Sequence, residues 1–154
     1  MDTQIDSFYI VGITKKTSNI DNAASNDIGY LWQQFIRENI MDLIPKKVSN
    51  DIYAVYTDYE SDHLGPYKVI IGCRVSSADF IPDGFECVEI RGGLYRKFSP
   101  KGEMPDIVIK EWQNIWNSKL DRTYTTDFEL YDQRAANPED AEIDIYVAIN
   151  SNNR

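Results

Sequence analysis

The segment TDYE at residues 57–60 recurs almost unchanged as TDFE at residues 126–129. Each copy follows a run of β-branched and aromatic residues that is typical of a strand. Each half of the chain also carries one apolar stripe at helical spacing. The echo therefore predicts two related halves. It also raises the question whether Glu60 or Glu129 has a chemical role.

The first half predicts the element order β-α-β-β. Residues 8–13 and 52–60 are rich in Ile, Val and Tyr, and residues 67–75 form a third apolar run with period-two alternation. Between the first two strands, one helix is indicated by apolar residues at positions i, i+3, i+4, i+7 and i+8. These residues are Ile28, Leu31, Trp32, Phe35 and Ile36.

The second half predicts the same order. Residues 85–90 and 94–98 read as one strand that Gly92-Gly93 interrupts, and strands at 124–131 and 143–149 follow a helix. The helical stripe of this half consists of Val108, Trp112, Ile115 and Trp116. Trp112 then corresponds to Trp32 of the first helix.

These elements predict an α+β fold made of two pseudo-symmetric β-α-β-β repeats. The sheet is expected to be rich in antiparallel pairs, with two main helices on one face and a groove at the seam between the repeats. At 154 residues the chain is expected to be a single domain over residues 1–154. Repeat one spans about 5–76 and repeat two about 84–150.

The net charge of −9 argues against a nucleic-acid-binding surface, which needs clustered basic residues. The acidic start of the chain does not fit a signal peptide, and no apolar run is long enough to cross a membrane. Cys73 and Cys87 lie in separate strand-like runs and favour reduced thiols, although a disulfide between them stays open. A cytoplasmic protein is the expectation from these observations.

No metal site or cofactor is expected. His63 stands alone in a turn, without the Cys, His or Asp neighbours that a metal centre or a histidine-based triad needs. The glycines in GPYKVIIG and RGGLY lack the spacing and the following helix of a phosphate-binding loop.

Several stretches taken in order resemble one known family. They are VG at 11–12, YAVYTDYE at 53–60, YKVIIG at 67–72, GGLYRKF at 92–98, WQNIW at 112–116, DFELYD at 127–132 and IDIYVAI at 143–149. Together they resemble the GyrI-like small-molecule-binding domain. This family includes effector-binding domains of AraC-type and MerR-type regulators and stand-alone integron-associated effector-binding proteins.

The resemblance covers nearly the whole chain and implies a stand-alone pocket protein for hydrophobic, often cationic compounds. The DNA-binding domain of the regulators has no counterpart here, so direct contact with nucleic acid is not expected. Relatives implicated in resistance to gyrase-targeting toxins imply a regulator or a topoisomerase as a protein partner. Other relatives hydrolyse strained, cyclopropane-bearing natural products.

Glu129 is the principal site candidate. If Phe128 and Leu130 pack under the helices, strand alternation turns Glu129 and Tyr131 toward the groove. A carboxylate among aromatic walls attracts a lipophilic cation through its charge, and each ring adds about 0.5–2 kcal/mol of cation–π attraction. The resemblance places the family's binding glutamate here. The alternative is a solvated strand glutamate, which is the reading favoured for Glu60.

Four further residues complete the predicted ligand-binding set. The resemblance matches Trp112 to the helix tryptophan beside the pocket, and Tyr95 to the tyrosine of a Y-x-x-F pattern. Tyr131 shares the face of Glu129, and Tyr53 is a weaker candidate. Trp32 is expected to be mainly core, and Asp58 and Asp127 to be exposed or to support turns.

Two functions follow from this set. The first is a binding protein that captures hydrophobic, cationic small molecules. The second is a hydrolase in which Glu129 acts as a general base, because a carboxyl group in an apolar pocket can have its pKa raised toward the working pH. Binding is preferred, since no second acid, base or nucleophile stands at a suitable spacing, and no catalytic residue is assigned.

Overall fold

The computed structural model describes residues 2–20, 23–62 and 64–150. Its helices are α1 (Ala23–Arg37), α2 (Ile40–Leu43) and α3 (Asp106–Asn117). Its strands are β1 (Asp2–Ile5), β2 (Phe8–Thr17), β3 (Ile52–Thr57), β4 (Tyr67–Val75), β5 (Glu86–Ile90), β6 (Gly93–Phe98), β7 (Lys101–Gly102), β8 (Arg122–Tyr131), β9 (Ala141–Glu142) and β10 (Asp144–Ile149). His63 and the tail at 151–154 lie outside the described residues.

The main sheet confirms the predicted two-repeat α+β fold. Its eight strands run in the order β1-β6-β10-β8-β3-β4-β2-β5, and every pair is antiparallel. The central part reads β6-β10-β8 on one side and β2-β4-β3 in mirrored order on the other. The two β-α-β-β units therefore meet where β3 pairs with β8, and this pair is the seam. The boundaries given above for the domain and its repeats stay predictions.

The two copies of the repeated tetrapeptide, residues 57–60 and 126–129, have different structures at the seam. Thr57 and Thr126 are directly paired across it. β3 ends at Thr57 because Asp58 adopts a left-handed backbone with φ of 53°, whereas β8 continues to Tyr131. Glu60 consequently lies in a loop, and Glu129 lies inside a strand. The two copies therefore occupy corresponding places only at the threonines, although the repeat predicted related positions in the two halves.

One face of the sheet carries the helices. Leu31 and Phe35 of α1 and Trp112 and Ile115 of α3 pack in a single apolar cluster. The strands contribute side chains from β2, β3, β4 and β10 to this cluster. They include Val11, Ile13, Ala54, Tyr56, Val69, Ile71, Ile145 and Val147. Burial of this helix-facing cluster positions α1 and α3 on either side of the seam.

The opposite face has an apolar cluster of its own, made of strand residues. It contains Phe8, Ile10, Tyr53, Val55, Ile70, Ile90, Tyr95, Phe128 and Ala148. Ile10, Val55 and Ile70 are fully buried although no helix covers them in the described chain. The sheet must therefore curl around this second cluster, as a strongly twisted sheet does.

The second cluster corrects the argument that placed Phe128 and Leu130 under the helices. Both side chains belong to the helix-free face. Glu129 pairs with Ala54, which belongs to the helix-facing cluster, so Glu129 lies on the helix side. Glu129 and Phe128 lie on opposite faces of the sheet, as expected, but the helices cover the face of Glu129.

Other sequence expectations have mixed outcomes. Cys73 and Cys87 are free thiols, as favoured. β1 and the two-stranded β7–β9 sheet were not predicted, because these segments are short and mostly polar. No helix in the described chain is long and apolar enough to cross a bilayer.

Candidate functional site

A cavity of about 700 Å³ lies between α1 and α3 above the seam. This volume is in the range of small-molecule sites. Seven aromatic side chains line it, namely Trp32, Tyr56, Tyr59, Tyr67, Trp112, Trp116 and Tyr131. Aliphatic side chains extend the wall, among them Ile28, Met104, Val108 and Ile109. The cavity is therefore suited to a large apolar molecule with several rings.

Glu129 is the acidic group of this cavity among the described residues. Its side chain is almost fully buried, with 1% of its surface exposed. Oε2 accepts hydrogen bonds from the Tyr56 hydroxyl and from Trp112 Nε1, each at 2.7 Å. Oε1 accepts one from the Tyr131 hydroxyl at 2.5 Å. The carboxylate is thus held by three donors, one from each of three elements.

Burial raises the pKa of Glu129 above its ordinary value, because the charged form loses its hydration. The hydrogen bonds from Tyr131, Tyr56 and Trp112 oppose this shift by stabilising the ionised form. Burial beside the carboxylate also raises the pKa of Tyr56 and Tyr131 well above 10. Both tyrosines therefore stay protonated and keep donating, and the uncompensated charge of the site is that of Glu129.

Aromatic rings pack edge to face around the carboxylate. Tyr56 contacts Trp112 with ring centroids 5.4 Å apart, and Trp32 contacts Tyr131 at 4.9 Å. These contacts fix the orientations of rings that line the cavity. A cation near Glu129 would therefore meet both a buried negative charge and electron-rich ring faces.

The structure brings together three of the five predicted ligand-binding residues. Glu129, Trp112 and Tyr131 line the cavity and are joined by hydrogen bonds. Tyr95 and Tyr53 do not line it, and the prediction that they face the groove is wrong. Both belong to the cluster on the helix-free face.

The error for Tyr95 and Tyr53 has a physical cause. Tyr95 is buried, and its hydroxyl bonds to the Arg91 carbonyl and to Thr126 instead of turning into a cleft. Tyr53 packs edge to face on Phe8. Strand alternation in β6 and β3 places both side chains on the inner, helix-free face of the curled sheet.

Several wall residues were not predicted from the sequence. Trp32 was expected to be core but lines the cavity, as do Tyr56, Tyr59, Tyr67, Trp116 and Arg122. Tyr56 could have been found, because it alternates with Ala54 on the strand that pairs with the strand of Glu129. Arg122 could not have been found in this way, because it reaches the wall through a register shift in the pairing of β8 with β10.

Asp127 corrects another expectation. It was expected at the surface or in a turn, but it is fully buried. Its carboxylate accepts hydrogen bonds from Tyr59, Arg122 and the Ala148 backbone N–H at 2.6–2.8 Å. Glu60, in contrast, is half-exposed and pairs with Lys16, in agreement with its expected surface role.

No group of three or more His, Cys, Asp or Glu suited to a metal occurs among residues 2–20, 23–62 and 64–150. The chemistry of the cavity therefore rests on one carboxylate, its three donors, one guanidinium and the ring faces.

The sequence is similar to those of a known protein family and of a curated relative. The sequence profile of the family described as integron-associated effector binding protein matches residues 3–149. YobU of Bacillus subtilis, named as a transcriptional regulator, is 32% identical over 152 residues, which is 96% of this chain and 95% of YobU.

Two solved structures share the fold. An integron cassette protein of Vibrio cholerae is 30% identical, with a TM-score of 0.73 over 97% of this chain and 95% of that one. SAV2435, solved with bound tetraphenylphosphonium, is 19% identical, with a TM-score of 0.80 over 98% of this chain and 93% of that one. The resemblance noted in the sequence is thereby confirmed, and the chain belongs to the family of integron-associated effector-binding proteins.

Proposed function

We propose that this protein captures amphipathic organic cations in the cavity above the seam, with Glu129 as the charge partner. The observation that carries the proposal is the position of one buried carboxylate inside a cavity walled by aromatic rings. An isolated buried charge is costly, and a lipophilic cation offsets that cost while burying its own apolar surface. The site therefore selects for positive charge and apolar bulk together.

The donors around Glu129 support binding. The hydroxyls of Tyr56 and Tyr131 and the indole N–H of Trp112 are all directed at the carboxylate, so it is held rigidly in one orientation. A quaternary cation needs no hydrogen bonds and loses none on entering. Its recognition by charge and ring faces is the general mode for such ligands.

The family and its relatives support this proposal. The family is described as effector-binding, and YobU is named as a transcriptional regulator. SAV2435, which shares the fold, has been solved with an aromatic phosphonium cation. These names favour binding over the alternative hydrolase. A regulator or topoisomerase as protein partner, and a cytoplasmic location, stay predictions from the family resemblance.

The decisive comparison uses two ions of matched size and opposite charge. Tetraphenylphosphonium and tetraphenylborate have the same four phenyl groups, so hydrophobic burial alone would bind both. We expect tryptophan fluorescence to report binding of the phosphonium and at least about tenfold weaker binding of the borate. Equal affinities would show that Glu129 does not set the charge preference and would refute the proposal.

A further inference from the structure

The two main helices carry different residues at equivalent positions beside the cavity. The segment IGYLW ends at Trp32 of α1, and the segment VIKEW ends at Trp112 of α3. Three residues before each tryptophan stand Gly29 on α1 and Ile109 on α3, and both line the cavity. One repeat therefore offers the cavity a branched apolar side chain at the place where the other offers none.

The wall around Ile109 lies at the solvent end of the cavity. Ile109 lines the cavity and is nevertheless 48% exposed. Pro105, one helical turn before it, and Pro138 of the loop that precedes β9 are further exposed wall residues. Glu129, in contrast, is buried. The cavity therefore runs from a buried carboxylate to an apolar rim, and a ligand held at Glu129 meets apolar groups where it reaches the solvent.

The wall between Glu129 and Gly29 is aromatic. Tyr131 donates a hydrogen bond of 2.5 Å to Glu129, and its ring contacts Trp32 with centroids 4.9 Å apart. Trp32 stands one helical turn after Gly29, so the two positions lie one above the other on the cavity side of α1. An apolar group attached to a cation at Glu129 can therefore follow Tyr131 and Trp32 as far as Gly29.

Gly29 leaves a notch in this wall. A Cβ atom placed on Gly29 would have no atom of the described chain within 4 Å beyond its own stretch of helix. Its φ is not in the left-handed region, so neither the backbone conformation nor a close contact requires glycine. Glycine inside a helix lowers stability relative to alanine. A glycine on an open surface would also have free space around it, but Gly29 is half-buried and lines the cavity.

We propose that Gly29 is a specificity-determining residue, whose notch admits one unbranched apolar tail of the cation that Glu129 binds. The notch has the width of one missing side chain, which fits a chain of methylene groups better than a second ring. The inference rests on the proposed function and narrows the ligand class to amphiphilic cations with a compact head and a single alkyl chain. The tail passes Trp32 and leaves the cavity across Gly29, where it covers apolar surface of the rim.

The test measures how affinity depends on the length of the tail. Alkyltriphenylphosphonium ions with methyl, butyl, hexyl and octyl chains share one cationic head and differ only in the chain. Each methylene group that becomes buried should strengthen binding about fourfold. We expect the wild-type protein to bind the octyl ion at least about fiftyfold more tightly than the methyl ion, as three buried methylene groups would give. A ratio below about tenfold would overturn the inference.

A substitution taken from the second repeat assigns this ratio to the notch. Gly29→Ile gives α1 the residue that α3 has at the equivalent position, and isoleucine favours a helix more than glycine does. We expect the octyl-to-methyl affinity ratio to fall at least about tenfold. Gln33→Ile is the matched control, because Gln33 is exposed on α1 and does not line the cavity, and its ratio should stay within about twofold of wild type. A wild-type ratio in Gly29→Ile, or an equal loss in Gln33→Ile, would contradict the inference.

A measurement on the unaltered protein covers the case in which the variant does not fold. The Hα protons of Gly29, assigned by their loss in Gly29→Ala, should show nuclear Overhauser effects to the methylene protons of the octyl ion. Effects to the phenyl protons alone would overturn the inference while leaving cation capture intact. If neither the methyl nor the octyl ion binds the wild-type protein, the proposed function fails first and this inference falls with it.

Discussion

Trp112 Nε1 donates a hydrogen bond of 2.7 Å to Glu129 Oε2, which ties α3 to the seam strand β8 at the floor of the cavity. The same oxygen accepts from Tyr56 of β3. One carboxylate atom thus links a helix of the second repeat to strands of both repeats. The ligand site and the packing of the two halves are therefore coupled through a single group.

Removing the indole donor should weaken this link without removing the charge. In Trp112→Phe, Glu129 loses one of the interactions that hold its pKa down, so its pKa should rise further. We expect a loss of about 1 kcal/mol in the free energy of unfolding, plus a packing term for the smaller ring. Denaturant unfolding measures the loss of stability, and the pH at half-maximal phosphonium binding measures the rise in the pKa of Glu129. An unchanged binding midpoint would contradict the assigned role of Trp112.

The pH dependence of cation binding follows from the raised pKa of Glu129. Binding requires the ionised form, so affinity should fall as the pH falls through that pKa, approaching tenfold per pH unit below it. Tyr56 and Tyr131 do not titrate in this range, since their pKa values lie well above 10. Phosphonium titrations between pH 4 and 8 test this expectation, and a pH-independent affinity would refute it.

The contribution of Glu129 to the free energy of unfolding should follow the opposite trend with pH. The folded-state pKa of Glu129 lies above its ordinary value of 4.5, so the folded state binds the proton more tightly than the unfolded state. This contribution is fully present below pH 4.5 and declines as the pH rises through the raised pKa. Glu129→Gln lacks this component, so the difference in unfolding free energy between wild type and variant should decline as the pH rises through the raised pKa of Glu129. A wild-type minus variant difference that is flat with pH would contradict it.

The two faces of the sheet should respond differently to loss of a tyrosine hydroxyl. Tyr131→Phe removes a donor to Glu129 and should weaken phosphonium binding severalfold. Tyr95→Phe removes the bonds to Arg91 and Thr126 on the far face. It should cost about 1 kcal/mol of stability and leave binding within twofold. Weakened binding in Tyr95→Phe alone would restore the original prediction for that residue.

The close contact of β2 with β4 provides a test of the fold. Gly12 and Gly72 are directly paired, and a Cβ on Gly12 would lie 2.0 Å from the Ile71 carbonyl oxygen. Gly12→Ala should therefore lower the free energy of unfolding by about 3 kcal/mol or more. Gly29→Ala in α1 is the matched control, since nothing lies within 4 Å of its Cβ, and it should stabilise by about 0.5–1 kcal/mol. Equal effects of the two changes would contradict the register of β2 and β4.

The repeat order and the position of Glu129 were predictable because they depend on local patterns. Alternation in β8 separates Glu129 from Phe128, and helical spacing puts Trp112 and Ile115 on one stripe. Which face the helices would cover was not predictable, because both faces of the curled sheet are apolar. Tyr95 and Tyr53 were misplaced for that reason.

The position of Arg122 depends on a long-range feature that local patterns do not encode. It reaches the cavity through the excess residues of β8 around Tyr124, which is visible only once β8 is paired with β10. Asp127 was misjudged for a related reason. Its buried partners, Arg122 and Tyr59, are supplied by that bulge and by the loop after β3.

The echoed glutamates supply the most direct test of the central claim. Calorimetric titration with tetraphenylphosphonium at pH 8 should be carried out on the wild-type protein, Glu129→Gln and Glu60→Gln. Both substitutions remove one negative charge, but Glu129 is buried in the cavity and Glu60 is half-exposed beside Lys16. We predict at least about tenfold weaker binding for Glu129→Gln and a change of less than about twofold for Glu60→Gln. Wild-type affinity in Glu129→Gln would contradict the account.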